Sequence, residues 1–424
     1  MHHVILGAGP AGVIAAETIR KHRPGDEITI VGDEKEPPYS RMAIPYLLAG
    51  GIDESGTWLR KGSNHYAGLQ IKLVQARATG VDAKARTVAL DNGQTLAFDT
   101  LLIATGSHPV RPPIPGIDLP GVHACWTMED ARKIMALAVK GARVLQMGAG
   151  FIGCIIMESL AARGVHLSVV EMGDRMVPRM MGPTAGGMIK DWCEQKGVEV
   201  FTDTRVEAID AGSPLSVRLS NGKNVAADLV ISATGVKPAI GFLKDSGITC
   251  LLGVLTDEHM QTSVPGIYAA GDCAEAFDKI SGKMIVSAIQ PNAAEQARVA
   301  ALNMAGQKAS LPGVTQINVL DTLGLISASF GDWQGVPGGE QVELTDRKAG
   351  RHLSLQFKDD VMVGCNSIGW TEHVGVLRGL VEGQVKLGPW KDQLKNDPTR
   401  LMEAYIASAQ AQNLWQGATD ERRR

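Results

Sequence analysis

The sequence predicts an α/β protein with two Rossmann-type domains followed by a smaller C-terminal α+β domain. Three observations carry this prediction. Near the start of the chain, a short apolar run enters a Gly-x-Gly-x-x-Gly turn and then a helical stretch, and the same unit returns at residues 143–153. Past about residue 312 that pattern stops, and strand-like runs such as TQINVL and LISASFG take its place. At 424 residues the chain is too long for one core and long enough for about three domains.

The first unit opens with HVIL at residues 3–6, broken by Gly7-Ala8-Gly9-Pro10-Ala11-Gly12. The following AGVIAAETIRKH has helical periodicity and good helix formers. Gly7 allows the tight turn, Gly9 lets the backbone approach a pyrophosphate, and Gly12 lets helix and strand pack closely. Pro10 and Ala11 begin the helix, whose free N–H groups and positive dipole end suit that anion. A second strand, EITIV, leads to Gly32, Asp33 and Glu34, where either carboxylate can accept from a ribose hydroxyl.

The second unit runs from RVLQM into Gly148-Ala149-Gly150-Phe151-Ile152-Gly153, then a helix through Met157 and Leu160, then LSVVE ending at Glu171. Ile152 stands in this second helix start as Ala11 does in the first. Two dinucleotide pockets in one chain imply electron transfer from one dinucleotide to the other. A carboxylate at Glu171 bonds a free ribose 2′-hydroxyl and repels a 2′-phosphate, which favours NADH over NADPH. Arg175 is the opposing feature, since a guanidinium accommodates phosphate; its simpler reading is an ion pair at the surface.

Composition narrows the function classes. The apolar fraction of 44% and charged fraction of 21% are ordinary for a globular protein. A net charge of −3 argues against nucleic-acid binding or a polybasic membrane anchor, and Arg422, Arg423 and Arg424 read as a solvated tail. No stretch reaches the apolar length of a bilayer span, and the first apolar run passes straight into a glycine turn rather than a signal-peptide pattern. Six scattered cysteines without a CxxC pair fit reduced thiols in a cytoplasmic protein. Ten histidines show no ligand spacing, so no metal site is expected.

Three further segments complete a recognisable series. FDTLLIATGSHP carries Ala104-Thr105-Gly106, DLVISATGVKP carries Ala233-Thr234-Gly235, and TSVPGIYAAGDCAE carries Gly271-Asp272. With the two glycine turns, the chain resembles the FAD-dependent pyridine nucleotide oxidoreductases, which have a glutathione-reductase-like fold. Within them it resembles the branch of NADH-rubredoxin and ferredoxin reductases, the nitrite reductase flavin module and NADH oxidases. That resemblance implies FAD at the first turn and NAD(H) at the second. It implies that Gly7, Gly9 and Gly12 face the FAD pyrophosphate, that Arg41 reaches its phosphates, and that Asp272 holds the ribityl chain or phosphate. It also implies backbone bonds from Ala78 to the adenine and an NAD(H) cradle of Gly148, Gly150 and Gly153. Phe151 would gate the flavin face, against the alternative of simple packing at a helix start. QPNAAEQARVA would begin a helix whose positive end stabilises charge on the reduced flavin. The implied domains are 1–112 with 238–312 for FAD, 113–237 for NAD(H), and 313–424 as an interface domain of a homodimer.

The chain also departs from that pattern. The loop Tyr39-Ser40-Arg41-Met42-Ala43-Ile44-Pro45-Tyr46 has Met42 where thiol-using relatives carry a redox cysteine, and a thioether supports no thiol exchange. Cys273, beside Asp272, reads as a small buried packing residue. Where ferredoxin reductases carry a lysine and a glutamate near the flavin, this chain has Tyr46 and Ile155, so a more apolar flavin side is expected. Restoring both charges with Tyr46→Lys and Ile155→Glu then shifts flavin potential or reduction rate. Trp333, Trp370, Trp390 and Trp415 read as domain core and interface, or as a wall near the flavin. The reading that follows is an NADH-dependent reductase delivering electrons to a small redox protein. An oxidase or reductase of quinone-like small molecules and an NADH-responsive sensing module are the alternatives.

Overall fold

The computed structural model describes residues 1–411, so Trp415 and Arg422, Arg423 and Arg424 lie outside the described residues. Two compact units emerge: residues 1–110, 125–135 and 235–314 form one, and residues 111–124, 136–234 and 315 onward form the other.

In the first unit, β-branched and apolar strands build a five-stranded parallel sheet. Its order is Ile267–Ala269, Thr100–Ile103, His2–Leu6, Glu27–Gly32 and Ile71–Gln75. Val4, Ile5, Leu6, Ile28, Ile30 and Leu101 to Ile103 are all but fully buried, as strands covered on both faces must be. Helix Pro10–His22 starts with proline, sets Ala15, Ala16 and Ile19 against the sheet side, and ends in Arg20, Lys21 and His22. Basic residues there complement the negative end of the helix dipole. Helix Gln290–Met304 packs against it, and the small Ala297, Ala300 and Ala301 let the two axes approach. Strands Ala78–Asp82, Thr87–Leu90 and Thr95–Ala97 form a separate antiparallel sheet. Ser107–Pro109 and Val236–Pro238, which follow the two Ala-Thr-Gly turns, pair antiparallel as a short ribbon.

In the second unit the parallel sheet runs Glu199–Phe201, His166–Val170, Arg143–Met147, Leu229–Ser232 and Val122–Ala124. Helix Phe151–Ala162 follows the glycine turn. The expected C-terminal α+β part is a five-stranded antiparallel sheet in the order Ile317–Thr322, Leu325–Gly331, Val361–Ile368, Arg351–Lys358 and Glu340–Asp346. Helices Val374–Glu382, Trp390–Asn396 and Leu401–Ala411 complete it. Strand Ile317–Thr322 packs against helix Phe151–Ala162, and Asn366 is bonded to Gly182 N and Met180 O, which joins this sheet to the parallel one within the unit.

Candidate functional site

The first glycine turn is a cradle from which side chains are excluded. Gly7 has φ +121°, and a Cβ there would stand 2.0 Å from the Ala104 carbonyl oxygen. A Cβ on Gly12 would stand 1.9 Å from the Gly7 carbonyl oxygen, so this helix can approach the strand only as glycine. Gly9 differs: nothing lies within 4 Å of a Cβ there, and its backbone is extended. The helix beginning at Pro10 and Ala11 has no side-chain cap and no acidic residue in its first turn. Its N–H groups therefore face open ground with a positive dipole end, the arrangement that binds phosphate.

A network of polar side chains surrounds this cradle. Glu34 accepts from Tyr39 Oη and from Arg41 Nη2, each at 2.6 Å, so both carboxylate oxygens are engaged. Burial pulls the Arg41 guanidinium down, but Glu34 and Tyr39 outweigh it and keep it charged. Its Nε is buried without a hydrogen-bond partner among the described residues, a donor suited to a phosphate oxygen. The guanidinium lies 5.3 Å from the Trp126 ring centroid. Trp126 Nε1 donates to Ser107 O at 3.0 Å, and Ser107 Oγ donates to Asp272 Oδ2 at 2.8 Å. Burial pushes the Asp272 carboxyl up. Behind it, the fully buried Gln296 accepts from Gly271 N at 2.7 Å and leaves its Nε2 unpartnered among the described residues.

The other expected residues of this site fall into place around the network. Asp33 is exposed and accepts from Arg77 Nε at 3.0 Å. Thr105 Oγ1 donates to Ala239 O, Gly106 O accepts from Ala239 N, and Ala104 N donates to Leu6 O. Gly106 and Gly271 have φ +67° and +82°. Ala78 sits at a β-bulge of its strand, opposite Leu90. Ser107, Trp126 and Gln296 were not legible as site residues. Trp126 lies well past the Ala-Thr-Gly turn yet belongs to the first unit, and no local pattern marks it.

The second turn repeats the first. Gly148 has φ +96° and would place a Cβ 2.4 Å from Ala233 O, while a Cβ on Gly150 would have nothing within 4 Å. A Cβ on Gly153 would lie 2.5 Å from Gly148 O, and the helix start at Phe151 and Ile152 again lacks a side-chain cap or an acid. Glu171 accepts from Ala149 N and Gly173 N, both at 2.8 Å. Arg175 pairs with Asp174 at 2.6 Å and donates from Nε to Met181 O at 2.9 Å, so its guanidinium is folded into its own loop. Gly235 has φ +112° and no atom within 4 Å of a Cβ. Both turns thus fit a dinucleotide pyrophosphate by the same test: tight glycines behind, an open glycine and an uncapped helix in front.

Thiol chemistry finds no support at the first site. Met42 is exposed in a 3-10 turn and Tyr46 is exposed on the short helix that follows. Cys273 is fully buried, its Sγ within 3.4 Å of Ile103 O and Ala270 O, and burial pushes the thiol up. Such a group is a poor nucleophile. Burial likewise pushes Cys125 and Cys193 up to about 12. In the C-terminal sheet and helices, Arg351 covers Trp370 and Arg400 covers Trp390, at 4.6 and 5.0 Å. Among the described residues no group of three His, Cys, Asp or Glu could hold a metal, and no helix is long and apolar enough to cross a membrane.

Two dinucleotide cradles, each behind its own parallel sheet, define a flavin-dependent NAD(P)H oxidoreductase. The chain belongs to the pyridine nucleotide-disulphide oxidoreductase family, whose pattern matches residues 1–302. It is 32% identical over 394 residues to an NADH oxidase of Methanocaldococcus jannaschii, covering 87% of this chain and 88% of that one. It is 29% identical over 406 residues to the ferredoxin–NAD(+) reductase component of the biphenyl dioxygenase system of Paraburkholderia xenovorans, covering 95% and 98%. Among solved structures, the NAD-dependent persulfide reductase of A. fulgidus superposes with a TM-score of 0.86 at 28% identity, over 98% of this chain and 84% of that one.

Proposed function

We propose that this chain carries electrons from NADH through FAD to a small redox protein. The observation that carries the reading is the pairing of two complete dinucleotide cradles with a first site that has no usable thiol. Electrons that cannot pass to a protein disulfide must leave to an external acceptor. When bound, FAD supplies hydride acceptance and stepwise electron release.

The chain's own residues bind and orient. The open N-terminus at Gly9, Pro10 and Ala11, with the Arg41 Nε that has no partner among the described residues, would hold the FAD pyrophosphate. Asp272, steadied by Ser107, accepts from the ribityl side. Glu34 is tied to the buried Tyr39 and to Arg41, while Asp33 is exposed beside Arg77, so Asp33 is taken as the acid that reaches the adenosine ribose. At the second site Gly148, Gly150 and Gly153 take the NADH pyrophosphate, and Glu171 faces the ribose. Because Arg175 is occupied within its loop, the carboxylate decides, and NADH is preferred to NADPH.

This reading divides the chain into an FAD part at 1–112 and 238–312, an NAD(H) part at 113–237, and an interface part from 313. It takes the protein to be a cytoplasmic homodimer, with support from the unpaired cysteines and from the family resemblance. The ferredoxin reductase likeness favours a protein acceptor, while the NADH oxidase likeness favours oxygen as a second reading. NADH consumption in air, with and without added rubredoxin or a [2Fe–2S] ferredoxin, decides between them. Stimulation by the redox protein supports the first reading; an equal rate without it supports the second.

A further inference from the structure

Strand Arg143–Met147 is buried along its inner run, yet it carries a fully buried amide at Gln146. Its Nε2 donates to Gly148 O at 2.9 Å, and its Oε1 has no partner among the described residues. That carbonyl belongs to the Gly148–Ala149 peptide, and the N–H of the same peptide donates to Glu171 Oε2 at 2.8 Å. One peptide of the glycine turn is therefore held by both of its polar groups. The holding side chains come from neighbouring parallel strand ends, Gln146 on one and Glu171 just past the other. A bond from Gly173 N to Glu171 Oε1 at 2.8 Å fixes the carboxylate from its other side. Packing alone does not call for an amide here: leucine or methionine would fill the place without burying an unpaired oxygen, which is costly.

We propose that Gln146 is a positioning residue for nucleotide choice. By fixing the Gly148–Ala149 peptide it fixes Glu171, the carboxylate that separates a free 2′-hydroxyl from a 2′-phosphate. The proposal rests on the reading of this turn as the NAD(H) site. Without the amide, the peptide can turn about its flanking bonds and the carboxylate loses one of the two N–H donors that hold it. A loosened carboxylate binds the hydroxyl less well and repels phosphate less.

The test is calorimetric titration of the oxidised FAD-loaded enzyme with NAD+ and, separately, NADP+, for the wild type, Gln146→Met and Gln146→Leu. Oxidised nucleotides report binding without turnover. The wild type is expected to bind NAD+ more tightly than NADP+. Both variants are expected to lose about fivefold in NAD+ affinity, the worth of one neutral hydrogen bond, with a smaller change for NADP+. The preference therefore narrows. An unchanged ratio of the two affinities in variants that retain flavin overturns the proposal, including the case where both affinities fall together, because that is a purely structural effect. A wild type that binds neither nucleotide instead overturns the reading of the second site, and the inference with it.

Discussion

Replacing Trp126 tests the first cradle more sharply than replacing a glycine, because it removes support without blocking the pocket. Two contacts go with the indole: the Nε1 bond to Ser107 O at 3.0 Å and the ring face 5.3 Å from the Arg41 guanidinium. Trp126→Phe removes only the first, a neutral hydrogen bond worth about 1 kcal/mol, or about fivefold in affinity. Trp126→Leu removes both, and a partly buried cation–π contact adds about 0.5–2 kcal/mol, so the total loss is about 10- to 150-fold. In the proposed FAD site both effects bear on binding, since Ser107 bonds Asp272 and the Arg41 Nε, unpartnered among the described residues, is the donor proposed for phosphate. The assay is fluorescence titration of the apoprotein with FAD. A graded series, wild type tighter than Phe and Phe tighter than Leu, is expected. Wild-type affinity in both variants would refute the claim that this indole supports the site.

Three other outcomes are expected. Glu171→Gln should lower the NADH specificity constant by about 10- to 100-fold, the worth of a hydrogen bond to a charged group, and lower that for NADPH much less; steady-state kinetics with both nucleotides checks it. Alkylation of the accessible cysteines should leave NADH-driven turnover unchanged, and a thiol-dependent loss of rate would contradict the Met42 and Cys273 readings. Although burial pushes the Glu17 carboxyl up, hydrogen bonds from Arg60 at 2.6 and 2.5 Å and His65 at 2.8 Å hold it below its ordinary 4.5. Its folded value is thus depressed, so its contribution is present above the unfolded value and lost as pH falls through the folded one. The melting-temperature gap between wild type and Glu17→Gln should accordingly close on acidification, and a gap that widens would reverse the sign.

Much of the fold was written locally. Gly7, Gly12, Gly148 and Gly153 are required by carbonyls a few ångströms away, and a turn that tolerates only glycine is legible from its spacing. The alternation of apolar strand and helix likewise fixed the two parallel sheets. The choice between Asp33 and Glu34 was not legible, because neighbours at a strand end differ only in which long-range partners they meet. Arg41 and Tyr39 claim Glu34, and Arg77 meets Asp33. Trp126 and Gln146 were missed for a related reason. The first reads as one aromatic in a connecting segment and the second as one polar residue in an apolar run, and only folding brings each to its glycine turn. Arg175 was legible as the rival to Glu171, but its commitment to Asp174 and Met181 O depends on a loop conformation that no spacing encodes.

In the proposed function one chain binds two dinucleotides, FAD and NADH. Anaerobic stopped-flow mixing of the FAD-loaded protein with NADH, and separately with NADPH at the same concentration, tests it directly. Rapid bleaching of the flavin band by NADH with a sluggish response to NADPH is the predicted result. No bleaching by either nucleotide would contradict this function.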